Sequence, residues 1–257
     1  MVAEDGSRSV VQFEGIGLRY GHGPEVLSDI TFVLSDGSYH FLTGPSGAGK
    51  TSLLRLMYLA MRPTRGLVTL FGQDVAAMER RQLAVVRRQI GVVFQDFRLL
   101  GHLSVFDNVA LPLRIIATPE DRVRRCVLEM LAWVGLTDFI DARPAVLSGG
   151  QQQLVAVARA VVRQPRLLVA DEPTGSVDDR IARKLMYLFE ELNGLGTTVF
   201  IATHNRELVE RAGHPRFWLE HGVLRSDPVV NVETRRSMGQ AEGEPVSRAQ
   251  TAAVEPG

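Results

Sequence analysis

The chain has 257 residues, 45% of them hydrophobic, and its 29 basic side chains balance 29 acidic ones. That length fits one large α/β domain, or one domain with an inserted lobe, and its core needs neither disulfides nor metals. The neutral charge balance gives no support to broad electrostatic binding of nucleic acid, and no nucleic-acid partner is expected. The single cysteine, Cys126, cannot form an intrachain bridge and suits a reducing compartment. No apolar run approaches the about 20 residues of a membrane span, and residues 1–5 lack the basic and apolar regions of a signal peptide. A soluble protein that reaches a membrane only through a partner is expected.

In chain order, β-rich runs over residues 11–20, 27–34 and 39–43 are punctuated by Gly21, Gly23-Pro24 and Asp36-Gly37. A helix beginning at Ser52 is expected to run to about residue 61, where Pro63 stops it. A strand over 67–71, a polar helix over 79–89 and a core strand over 90–94 follow. Between residues 96 and 147 the pattern turns helical. There Thr118-Pro119-Glu120-Asp121 predicts a helix start with a hydroxyl cap and proline in the first position. Val123, Cys126, Val127, Met130, Leu131 and Val134 then recur at helical spacing, which places Cys126 in packing rather than chemistry. An apolar strand over 166–170, a helix bearing Leu185, Leu188 and Phe189, a β-branched strand over 197–202 and a hairpin over 217–224 complete the pattern. This alternation predicts an α/β fold with a largely parallel sheet. The expected organisation is a flexible start over 1–10 and one domain over 11–225 with a helical lobe at about 96–147. Pro, Gly, Ser and Ala enrichment predicts a disordered tail over 226–257.

Gly44-Pro45-Ser46-Gly47-Ala48-Gly49-Lys50-Thr51 fits the phosphate-binding pattern G-x-x-x-x-G-K-[ST], between a predicted strand and a predicted helix. Glycines let the backbone wrap close to an anion, and a helix N-terminus offers unpaired N–H groups and a favourable dipole. Lys50 is suited to the β- and γ-phosphates and the Thr51 hydroxyl to Mg²⁺. A second element, Leu167-Leu168-Val169-Ala170-Asp171-Glu172, is an apolar strand ending in two carboxylates. Ligands of open α/β sheets gather at such strand ends. Asp171 there suits Mg²⁺, and Glu172 suits polarising a water for in-line attack. A third element, Ser148-Gly149-Gly150-Gln151, opens a helix over 152–162, with Ser148 a natural N-cap. Its N–H groups make another anion-attracting terminus, although local physics equally describes an ordinary capped helix. His204 follows a strand, at the edge where ligands gather. Tyr20 suits packing as well as ligand stacking, and the other histidines lack metal-ligand spacing.

These motifs, with Gln95, Ser176-Val177-Asp178 and His204, occur in the order found in ATP-binding cassette (ABC) ATPases, which the chain resembles over residues 11–225. The resemblance implies a P-loop NTPase fold of ABC type, with a mainly parallel core, an antiparallel β subdomain and an inserted helical lobe. It implies ATP and Mg²⁺ as cofactors, with Gly44 through Ser52 on the phosphates and Tyr20 stacked on adenine. Thr51, Gln95 and Asp171 would serve Mg²⁺, Glu172 would be the general base and His204 would contact the γ-phosphate, with Lys50 and Gln95 completing the catalytic set. It further implies a homodimer in which Ser148, Gly149, Gly150 and Gln151 complete the partner subunit's site and Asp178 communicates across the interface.

Within the family, Val93-Phe94-Gln95-Asp96-Phe97-Arg98-Leu99-Leu100 and Asp107-Asn108-Val109-Ala110-Leu111-Pro112-Leu113 look like the cell-division branch. That likeness implies an FtsX-like integral membrane partner and a peripheral location on the cytoplasmic side of the bacterial inner membrane. It also implies indirect links to other division proteins and peptidoglycan hydrolase activators. ATPases of lipoprotein-release and macrolide-export complexes share most of these residues and form the alternative. Phe97, Leu99, Leu100 and Leu103 would offer an apolar groove to a partner helix. Leu154 stands where arginine is common, Gln151 replaces a frequent glutamate, Ser176-Val177 is a less usual loop, and Asn205 stands where many relatives have an acid. None removes an expected catalytic group, so active hydrolysis is expected. Nucleic-acid-binding relatives carry coiled-coil insertions or paired cassettes, and this sequence has neither.

Overall fold

Strands β7 (Leu167–Asp171) and β8 (Thr198–Ala202) are apolar almost throughout because both of their faces are covered. They belong to a six-stranded sheet in a computed structural model that describes residues 9–227. The expected flexible start and disordered tail fall mostly outside the described residues. Where they overlap them, at Ser9-Val10 and Ser226-Asp227, the chain is strand.

The six strands run in the order β10 (Val223–Asp227), β9 (Arg216–Glu220), β3 (Tyr39–Thr43), β8, β7 and β6 (Ile90–Val93). All neighbours are parallel except the β9–β10 hairpin. Successive side chains face opposite sides, so Leu167 and Val169 enter one buried cluster while Leu168 and Ala170 enter another. The first cluster is closed by an antiparallel sheet, β2 (Glu25–Ser35), β1 (Ser9–Arg19), β4 (Arg65–Leu70) and β5 (Gln73–Asp74), with α1 (Lys50–Met57) and α2 (Arg80–Arg87). Phe32 bridges the two sheets, with its ring centroid 4.9 Å from Phe13 and 5.3 Å from Phe217. The second cluster is covered by α3 (Val105–Arg114), α4 (Glu120–Trp133), α5 (Gly149–Val161) and α6 (Asp179–Gly194). Cys126 is half-buried on α4 and packs against that cluster.

Three local features differ from expectation. The P-loop helix α1 stops at Met57 rather than near residue 61, because Leu59 takes a left-handed φ of 61°. The Leu59 and Ala60 N–H groups then bond back to Leu56 and Arg55 carbonyls at 3.1 and 2.9 Å. This is a Schellman end built without the usual glycine. Helix α4 starts one residue late: Pro119 is its N-cap and has no side-chain acceptor to offer the first-turn N–H groups, so Thr118 is not the cap. A short helix α7 (Arg206–Ala212) was not anticipated, although Asn205 caps it and Gly213 ends it in the left-handed region.

Asn108, fully buried on α3, fixes the loop before that helix. Its Oδ1 accepts the Leu100 N–H at 2.8 Å, and its Nδ2 donates to the Leu100 and Ser104 carbonyls at 3.1 and 2.9 Å. Asn108→Ala strands those backbone groups, so a loss of about 1–3 kcal/mol is expected in urea unfolding. A midpoint unchanged from wild type would show that water replaces the amide.

Candidate active site

Four strands that lie side by side, β3, β8, β7 and β6, deliver polar residues to the same edge of the sheet. β3 runs into the Gly44–Thr51 loop, β8 into Thr203-His204, β7 into Asp171-Glu172 and β6 toward Gln95. Parallel pairing aligns their carboxyl ends, with Leu42 opposite Ala202 and Ala202 opposite Asp171. Lys50, Thr51, Gln95, Asp171, Glu172 and His204 line one open cavity of about 570 Å³ there. The loop's Gly44, Pro45, Ser46, Gly47, Gly49 and Ser52 line it too, whereas Ala48 is buried beneath.

The Lys50 ammonium donates to the Gly44 and Pro45 carbonyls at 2.9 and 3.1 Å, which holds a positive charge beside the N-terminus of α1. Burial pushes the Asp171 carboxyl above the usual range, with the nearby Glu172 charge adding to it. A hydrogen bond from Thr51 and the charges of Lys50 and Arg55 pull the other way. Glu172 is nearly buried, with 10% of its side chain exposed, whereas His204 is 70% exposed. His204 Nδ1 lies 2.8 Å from Glu172 Oε1, and the His204 N–H donates to Oε2 at 3.3 Å. Glu172 itself has a left-handed φ of 46°, held by its N–H bond to the Ala202 carbonyl at 2.8 Å. Backbone strain of this kind concentrates at functional sites.

The segment after Gln95 is pinned by a residue that sequence reasoning missed. Phe97 and Arg98 have φ of 55° and 50°. The Arg159 guanidinium on α5 donates to both of their carbonyls, at 2.8 and 2.6 Å. Desolvation lowers the pKa of that guanidinium below its ordinary value, so the two carbonyls replace lost water. Nothing in the local pattern separates Arg159 from a surface arginine. Of the apolar residues expected to form a partner groove, Leu99 packs into the core and Leu100 is 37% exposed.

Tyr20 stands apart from the cavity wall but next to its loop. Its hydroxyl is 3.0 Å from Ser52 Oγ and donates to Met61 Sδ at 3.4 Å. Ser148, Gly149, Gly150, Gln151 and Asp178 are not among the residues lining the cavity. They gather in a second place, where α5 meets α6. Ser148 and Gln151 form a reciprocal capping box at the start of α5. Gly150 abuts α6 so closely that a Cβ there would lie 2.9 Å from Ile181 Cγ1. Asp178 caps α6, its Oδ1 accepting the Ile181 N–H at 2.8 Å. The Gln153 amide adds a bond to the Pro173 carbonyl at 2.8 Å, which ties this cluster to the loop after Glu172.

A phosphate loop, strand-end carboxylates and a capped glycine-rich helix on this mixed α/β core define a class of protein. Residues 27–175 match the ABC transporter family model, and the chain belongs to that family. It is an ATP-hydrolysing P-loop ATPase of the ABC type. It is similar to the cell division ATP-binding protein FtsE of Escherichia coli K12, with 43% identity over 215 residues, 84% of this chain and 97% of that protein. FtsE of Mycobacterium tuberculosis H37Rv is 45% identical over 184 residues, 72% of this chain and 80% of that one. A solved structure of the ATP-binding cassette MJ0796, a post-hydrolysis dimer bound to ADP and Pi, superposes with a TM-score of 0.79. It is 31% identical and covers 86% of this chain and 99% of its own.

Proposed function

We propose that the chain binds ATP with Mg²⁺ in the 570 Å³ cavity and hydrolyses it between two copies of itself, driving an FtsX-like integral membrane partner in cell division. The observation that supports this most is the convergence of Lys50, Gln95, Asp171, Glu172 and His204, far apart in sequence, on that single cavity. Lys50 and the loop N–H groups bind the phosphates, and Tyr20 flanks the base. Glu172 accepts the proton of the attacking water, while His204, in contact with Glu172 Oε1, orients that carboxylate and reaches the γ-phosphate. Thr51, Gln95 and Asp171 supply hydroxyl, amide and carboxylate oxygens, which are the hard donors Mg²⁺ takes. The raised Asp171 pKa fits a carboxylate that lacks water and gains from a cation beside it. When bound, the ion neutralises charge on the phosphates.

Exposed Ser148 and Gly149 at the start of α5 offer a second anion-attracting terminus. In a homodimer they, with Gly150 and Gln151, close on the nucleotide of the partner subunit, and Asp178 lies at the interface between the copies. The dimeric cassette MJ0796 supports the homodimer in general. Among the described residues no helix is long and apolar enough to cross a membrane. A peripheral position on the cytoplasmic side of the bacterial inner membrane, through the FtsX-like partner, follows from the proposal. The names of the FtsE relatives support the division role, and indirect links to peptidoglycan hydrolase activators are part of the same proposal.

Lys50→Ala removes the charged donor from the loop. About a tenfold to hundredfold rise in the Kd for Mg-ATP is expected, measured by fluorescent-nucleotide titration. Unchanged affinity would take Lys50 out of the site. The partner is tested by purification from membranes of cells with and without the FtsX-like protein. A chain absent from membranes in both strains would remove that part of the proposal.

A further inference from the structure

Away from the nucleotide cavity, Arg62, Arg80 and Arg87 line one open cleft of about 530 Å³ between the end of α1 and helix α2. Several arginines elsewhere on the surface have acidic partners: Arg65 with Glu25, Arg98 with Asp96, Arg114 with Asp107, Arg166 with Asp36 and Arg211 with Glu207. Among the described residues Arg62, Arg80 and Arg87 have none within ion-pair distance. Arg87 donates to the Leu59 carbonyl at 2.7 Å, which holds its guanidinium at the cleft. The acidic side chains of the same segment are turned elsewhere. Asp74 accepts the Ala76 N–H at 2.8 Å, and Glu79 caps α2 in a box with Gln82. Arg81 and Arg88, both exposed, extend the positive charge along α2. In a chain of no net charge this is a local concentration of uncompensated cations.

A second cavity adjoins the first and shares Arg62, Leu83 and Arg87 with it. It holds about 120 Å³ and is backed by Leu59, Met61 and Val75. Three guanidinium groups next to a small apolar recess make a site with two chemistries. Guanidinium groups recognise phosphate through paired N–H donors, and the recess accepts hydrocarbon. We propose that this cleft binds a phosphate group carried on an amphiphile, as in the head of an anionic phospholipid. The site lies outside the nucleotide cavity and does not depend on hydrolysis.

The test uses the full chain saturated with Mg-ADP, so that the P-loop site is already filled. Short-chain phosphatidylglycerol below its micelle concentration is titrated by calorimetry, with inorganic phosphate in parallel. Vesicles of phosphatidylcholine with and without phosphatidylglycerol form the other arm. Arg62→Gln/Arg80→Gln leaves the Arg87 contact with Leu59 in place and is checked for folding by circular dichroism. Arg180→Gln/Arg183→Gln on α6 serves as the charge-matched control. Short-chain phosphatidylglycerol is expected to bind wild type and the α6 control, with affinity falling about tenfold or more in Arg62→Gln/Arg80→Gln. Capture by phosphatidylglycerol vesicles, lost in the same variant, identifies a bilayer as the source. Binding of the short-chain lipid alone identifies a soluble phosphorylated amphiphile. No binding, equal loss in the α6 control, or inorganic phosphate binding as tightly as the lipid would overturn the proposal.

Discussion

Glu172→Gln is expected to lower ATP turnover by about 10²–10⁴-fold, the range over which a positioned general base contributes. Glutamine keeps the shape of the side chain but cannot take a proton. The backbone geometry at Glu172 rests on its N–H bond to the Ala202 carbonyl and survives the change. The His204 N–H retains an oxygen acceptor in the amide, so the site remains folded around the nucleotide. Binding of Mg-ATP therefore persists, and the variant accumulates as an ATP-bound dimer that sedimentation velocity resolves from the monomer. Phosphate release measured beside nucleotide affinity separates the two effects. Turnover within about tenfold of wild type would assign proton removal to another group.

The second large effect concerns stability. Gly44→Ala is expected to destabilise the fold by about 3 kcal/mol or more, at the upper end for overpacking. A Cβ at this position would lie 2.0 Å from the Leu219 carbonyl oxygen and 3.1 Å from its carbon. Both are backbone atoms of β9, which is hydrogen-bonded to β3 at Leu42–Phe217 and Thr43–Trp218, so neither strand yields cheaply. Gly44 also has φ 150°, which an L side chain rarely adopts. Gly47→Ala provides the comparison. Gly47 has φ 77° but nothing within 4 Å of a new Cβ, so the loss there is confined to backbone strain of about 1 kcal/mol. Urea midpoints of the two variants measure the difference. Equal midpoints would show that β9 moves aside. The first glycine of the phosphate loop is thus required by the sheet as well as by any anion.

Much of the site is legible in the chain because its signals are local. The P-loop needs only a strand, a glycine-rich turn and a helix start, and these are contiguous from Tyr39 to Met57. Asp171 and Glu172 announce themselves as carboxylates at the end of an apolar run, and Ser148 as a hydroxyl three residues before a glutamine. The features that escaped depend on distant partners or on backbone states that other residues impose. Arg159 acts through carbonyls 61 and 62 residues away. Tyr20 meets Ser52 across 32 residues. The end of α1 at Leu59 uses a left-handed residue that carries no glycine signal. Helix α7 was legible, since Asn205 and Gly213 mark both ends, but its seven residues are too short for a convincing apolar period.

The order of motifs along the chain, their residue types and the burial of β7 and β8 on both faces are encoded locally. Lateral order in the sheet is not. β3, β6, β7 and β8 follow one another in sequence, yet in space the order is β3-β8-β7-β6, which brings His204 between the phosphate loop and the Asp171-Glu172 pair. An apolar strand specifies that it must be covered, but several neighbours would cover it equally well. The choice among them is made by long-range packing between the antiparallel sheet on one side and α3–α6 on the other. The same packing sets Ser148–Gln151 beside α6 instead of in the cavity, so each copy carries two anion-attracting helix ends that face different spaces.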